Sequence, residues 1–136
     1  MTRLVRSKYE DLDSGDRWTA HHVPAANTAA TITKAAAGAG IRNVCTWITV
    51  KLVAGATAPT AVNTSVSLID GASGGTTYLW RATISLPATG GADNGVALSN
   101  LWLPGSRNTG MTLEFLAAGG ANTIESVSMG GVTIRE

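Results

Sequence analysis

The sequence predicts an all-β fold: an antiparallel two-sheet sandwich of about eight strands, a jelly roll by first choice, with an extended N-terminal arm. Three observations lead there. Short runs in which apolar and polar residues alternate recur through the chain, the period of a half-buried strand. Between them stand "DGASGG" (70–75), "PATGGADNG" (87–95), "PGSRNTG" (104–110) and "AAGGAN" (117–122), clusters of the residues that make tight turns. No segment holds a 3.6-residue period over three turns. An immunoglobulin-like sandwich is the second choice, since strand count alone separates the two topologies weakly.

In chain order, residues 1–17 form the arm. Arg3, Arg6, Lys8, Arg17, Glu10, Asp11, Asp13 and Asp16 place 8 of the 19 charged residues there. Only Leu4, Val5, Tyr9 and Leu12 are apolar anchors, and no period is sustained. Residues 18–136 form the sandwich domain. Its first strands fall at 18–23 and 29–34. The second lies in "AANTAATITKAAAGAG", whose alanines suggest a helix. Gly38 and Gly40 each cost about 1 kcal/mol in a helix, and Thr28, Thr31 and Thr33 favour extended chain. Three consecutive alanines do not offset helix nucleation, so this stretch is a short strand and a connector.

The third strand, 41–53, places Val44, Ile48, Val50 and Leu52 on one face and Trp47, Thr49 and Lys51 on the other. The fourth, 61–69, turns Val62, Thr64, Val66 and Leu68 inward. The fifth, 77–86, groups Tyr78, Trp80, Ala82, Ile84 and Leu86. The sixth spans 95–103. The seventh, 110–117, sets Met111, Leu113 and Phe115 against Thr112 and Glu114. In the eighth, 123–135, Val127 and Met129 alternate with Ser126 and Ser128 until Gly130-Gly131 interrupts, which predicts a bulge or tight bend.

Composition narrows the function classes. Charged residues are 14% of the chain and the net charge is +1, so no bulk field draws nucleic acid or an anionic membrane. A surface of Thr, Ser, Asn, Ala and Gly with little charge suits life inside an assembly. The single cysteine, Cys45, sits in "VCTWITV" and reads as a buried, inert thiol. The first residues lack a signal-peptide apolar core, and no run is long enough to span a membrane, which leads to the expectation of cytoplasmic synthesis.

Four constellations invite a chemical reading, and each falls to a structural one. His21 and His22 are adjacent on a strand and so point to opposite faces, one inward and one out. "DLDSGD" (11–16) begins like a calcium loop, but the glycine and glutamate the loop needs are Asp16 and His22. "DGASGGTTYLW" (70–80) is glycine-rich but has no lysine and leads into a strand, so it is a hairpin loop rather than a phosphate cradle. Among the acids, Glu114 and Glu125 are the one pair that a glycosidase reading would need, at a separation the sequence does not give. No nucleophile, base and orienter set accompanies them. The protein is therefore expected to be no enzyme and to take no cofactor and no metal. Of the tryptophans, Trp80 falls on an apolar face, Trp18 where the arm meets the first strand, and Trp47 and Trp102 where they stand available for surface stacking.

The blocks "AANTAATITKAAAGAGIRNVCTWITVKL", "VSLIDGASGGTTYLWRATISLP" and "GMTLEFLAAGGANTIESVSMGG" together resemble small virion proteins of tailed bacteriophages, of the capsid decoration or cement type. The resemblance covers roughly residues 24–131 and lies in block order and texture, with no catalytic motif to carry over. It implies a jelly-roll-like sandwich on the outside of a phage head, synthesised in the host cytoplasm, whose partner is the major capsid protein. The arm lies outside the resemblance. Its mixed charge and scattered apolar anchors suit draping over a neighbouring subunit, with Arg3, Arg6, Lys8, Tyr9 and Trp18 as the contact residues. A homo-dimer or homo-trimer is the expected state of such a part. The alternatives are a tail or base-plate component, and a carbohydrate-binding sandwich that uses Trp47 or Trp102.

Overall fold

A computed structural model describes residues 17–60 and 62–135 of the 136-residue chain. The strands are β1 (Arg17–His22), β2 (Thr31–Lys34), β3 (Ile41–Ala54), β4 (Val62–Asp70), β5 (Tyr78–Leu86), β6 (Asp93–Leu98), β7 (Leu103–Pro104), β8 (Met111–Phe115) and β9 (Thr123–Arg135). One sheet has the order β1-β9-β3-β6, with β7 also paired to β3; the other has the order β2-β8-β4-β5. Every pair is antiparallel.

The pairing is nested. β4 pairs with β5, β3 with β6, β2 with β8 and β1 with β9, and successive pairs fall in alternate sheets. A single long hairpin rolled on itself gives this connectivity, which is that of a jelly roll and not of an immunoglobulin domain. The alanine-rich stretch holds the short strand β2 and no helix, and Gly38 and Gly40 take positive φ in the connector to β3.

The core lies between the sheets. Ile48, Val50 and Leu52 from β3, Val66 and Leu68 from β4, Ile84 and Leu86 from β5, Met111, Leu113 and Phe115 from β8, and Val127 and Met129 from β9 are all buried. Their alternation along each strand is what selects the register, because a one-residue slip would turn each set to solvent. Cys45 belongs to the same core. Burial pushes its thiol up to about 12.

Two departures from strict alternation matter. The register of β3 against β9 shifts between Cys45 and Trp47, so Thr46 is an extra residue. A bulge reverses the faces on either side of it. Val44 therefore packs not with Ile48, as the alternation predicts, but in a second cluster with Val132, Trp102 and Ile134. The double glycine marks this place, yet the extra residue is on β3: Gly130 faces Trp47 and Gly131 faces Cys45 across the ladder. The predicted strand 95–103 is likewise interrupted. β6 ends opposite Ile48 and β7 begins opposite Cys45, so the gap falls beside the same bulge.

Candidate binding groove beside the bulge

The bulge builds a concavity on the outer face of the larger sheet. Thr46 is out of the ladder with β6 and β7, and its carbonyl accepts the Leu101 N–H at 2.9 Å. That bond draws residues 99–101 over the break. Asn100 makes the turn with a φ of 56°, a conformation asparagine tolerates better than most residues. On the opposite side stand Arg17 from β1 and Gly131 and Val132 from β9. Together with Thr46, Trp47, Ser99, Asn100 and Leu101 they enclose about 460 Å³.

The glycines make room for it. A Cβ on Gly130 would sit 2.2 Å from Trp47 Nε1, and one on Gly131 would sit 1.8 Å from the Val44 carbonyl oxygen. Trp47 thus packs directly on bare backbone, and the bulged strand closes on β9 to a distance no side chain permits. The indole is half-buried and forms one wall. Thr46, Ser99 and Asn100 supply hydroxyl and amide groups. Arg17 is exposed and supplies the only charge among the described lining residues.

The remaining sequence-selected residues are placed as follows. Arg3, Arg6, Lys8 and Tyr9 lie outside the described residues, as does the arm through residue 16; Arg17, assigned to the arm, opens β1 instead. Trp18 is half-buried, donates its indole N–H to the Val132 carbonyl at 3.1 Å and has the Lys34 ammonium 6.0 Å from its ring centre. It is fastened to the fold. Trp102 is half-buried against Val44 and Val132, and Trp80 packs partly buried on the main core. Of the two tryptophans singled out for stacking, Trp47 lines the groove and Trp102 backs the neighbouring cluster. Arg17, Ser99, Asn100 and Leu101 were not anticipated as groove residues. The parity change across Gly130-Gly131 was their one signal.

The acids are held by the fold. Glu114 lies on the outer side of β8, where it accepts the Gly74 N–H at 2.9 Å, the Thr31 hydroxyl at 3.2 Å and the Ser73 hydroxyl. Asp70 accepts the Ser106 N–H at 3.0 Å and its hydroxyl at 2.6 Å. Each carboxylate clamps a glycine-rich loop to the sheet. Glu125 is different. It points inward from β9 and is wholly buried. One oxygen accepts the Ala30 N–H at 2.9 Å, tying β9 to the entry of β2 across the sandwich; the other, Oε2, has no hydrogen-bond partner. Desolvation raises its carboxyl to about 7, against the smaller opposing effect of the Ala30 bond. Glu114 thus lies on the outer face of the smaller sheet while Glu125 points from the larger sheet into the interior, so the two do not flank one bond. His21 is exposed and the half-buried His22 accepts the Thr31 N–H on Nδ1 at 3.2 Å, the two-sided arrangement their adjacency predicts. Among the described residues, no three His, Cys, Asp or Glu side chains converge as a metal site.

No protein-family model, curated protein or solved structure gives a significant match to this chain.

Proposed function

We propose that this protein is a phage structural protein that works by contact: a capsid decoration or cement protein, bound to the outside of the head as a homo-oligomer. The observation that carries the reading is the rolled sandwich whose described chain begins on an edge strand. β1 borders the larger sheet, and residues 1–16, which precede it in sequence, hold 7 of the 19 charges. A contact that orders such a segment must offset roughly 1–2 kcal/mol of backbone entropy per residue, which asks for an extensive partner surface. The jelly-roll connectivity agrees with what the resemblance to decoration proteins implies, and the low charge of the sandwich suits packing within a shell.

The test compares the full chain with a variant lacking residues 1–16 in binding to purified phage heads, with electron microscopy of the decorated particle. The expected result is a folded variant that no longer saturates the shell, and density for the sandwich on the capsid exterior with residues 1–16 on a neighbouring subunit. Unchanged affinity of the truncated chain would refute the role of the arm. Location on the tail or base plate would refute the role at the head.

A further inference from the structure

Beyond its proposed structural role, we infer that the groove walled by Trp47 is a binding site for a saccharide, with the pyranose ring against the indole and an acidic sugar preferred. Three independent features of the groove point to this chemistry. An indole offers an apolar, polarizable surface that takes the C–H groups of a sugar ring. Trp47 is the large apolar side chain at the wall, and its position is fixed by contact with Gly130. Thr46, Ser99 and Asn100 line the same space; the Thr46 hydroxyl donates to the Gly130 carbonyl at 3.4 Å and keeps its acceptor lone pairs, and hydroxyl and amide side chains around one aromatic wall are the complement of a polyhydroxylated ring. Arg17 is exposed and lines the groove, and among the described residues that line it there is no carboxylate. A planar fork of N–H donors pairs with a carboxylate bidentately, which directs the site to a uronate or similar acid over a neutral sugar.

The shape agrees. A volume of about 460 Å³ falls within the roughly 300–1,000 Å³ of small-molecule sites and holds one or two sugar rings. The lining residues come from four separate segments, β1, the bulge of β3, residues 99–101 and β9, all tied to one another by backbone pairing and by the Thr46–Leu101 bond. The site is thus formed before any ligand arrives, which lowers the cost of binding.

The experiment is calorimetric titration of the full chain with two oligosaccharides of equal length, an oligogalacturonate and a neutral gluco-oligosaccharide. Saturable binding of the uronate, at least about tenfold tighter than the neutral sugar, is expected. Trp47→Ala is expected to weaken it by about tenfold or more, and Arg17→Gln to remove the preference for the acid. Because Trp47→Ala leaves a hole over Gly130, Asn100→Gly is the second variant; glycine keeps the positive φ, so unfolding is unchanged while binding weakens severalfold. Absence of saturable binding to either sugar at about 10 mM overturns the site. So does binding that survives both Trp47→Ala and Asn100→Gly unchanged. Equal affinity for the two sugars overturns the part assigned to Arg17. None of these outcomes depends on capsid attachment, so failure here and failure of the structural role are separable.

Discussion

Replacing Glu125 by glutamine should erase a pH dependence of stability expected of the wild-type protein between about pH 4.5 and 7. The carboxyl is wholly buried, bonded only through one oxygen to the Ala30 N–H, and raised from 4.5 to about 7. The folded state therefore holds a proton on Glu125 that the unfolded state has released. In that window the native chain binds more protons than the unfolded one, so stability falls as pH rises; it is greatest below the unfolded value of 4.5 and levels off once the folded group has ionised above about 7. The full displacement corresponds to about 3 kcal/mol, a large part of the about 5–15 kcal/mol that holds a typical domain together. Glutamine keeps the acceptor for Ala30 but does not titrate. Its amide N–H groups replace an orphan oxygen and cost about 1–3 kcal/mol at any pH if left unpaired, so the decisive quantity is the difference in slope and not the absolute stability. Urea unfolding at half-unit steps from pH 4.5 to 8 measures it for both proteins. The wild-type curve should decline by about 3 kcal/mol relative to Glu125→Gln. Parallel curves would refute the claim that this carboxyl is folded in its neutral form.

Four further outcomes follow from the same geometry. Gly131→Ala places a methyl 1.8 Å from a backbone carbonyl, where nothing can move aside, and should destabilise by more than about 3 kcal/mol in thermal or urea unfolding. Gly130→Ala meets the Trp47 side chain instead, which can swing away, so its cost should be smaller and should appear as a shift in tryptophan fluorescence. Cys45 is buried and its thiol is pushed up to about 12; a thiol reagent at pH 8 should leave the native protein unmodified and label it stoichiometrically in denaturant. Asp70→Asn weakens the acceptor of two bonds from Ser106, and the Ser106 amide should exchange hydrogen at least about tenfold faster with little change in global unfolding.

The strands were legible because each buries one face. Wherever β4, β8 and the first part of β9 alternate without interruption, inward side chains are fixed by a period of two, and Val66, Leu68, Met111, Leu113, Phe115, Val127 and Met129 all lie in the core as alternation predicts. Tyr78, grouped with the apolar face of its strand, is exposed where the register of β4 against β5 shifts between Leu68 and Ile69. Three further places failed to read through for one reason. Val44, the strand expected at 95–103 and the double glycine are separate in sequence, but each is shaped by the bulge that pairs one strand with another. A bulge is a property of two strands, and a single strand's pattern does not say on which of them the extra residue sits. The groove inherits this: Trp47 was visible as an aromatic on a polar face, whereas Arg17, Ser99 and Asn100 join it only through pairing.

What the chain alone determined is its local grammar: extended segments, turns at Gly, Pro, Asn and Asp, a dilute charge on the sandwich and a concentrated one ahead of it. These follow from steric preferences and from hydrophobic period, both short-range. Tertiary structure decided the rolled order of the strands, the burial of Glu125 within an apolar interior, and the meeting of Trp47 with residues up to 85 positions away. Those depend on which segments come together when the sheets close, since hydrogen-bond ladders and desolvation act between residues that are near in space and not in sequence.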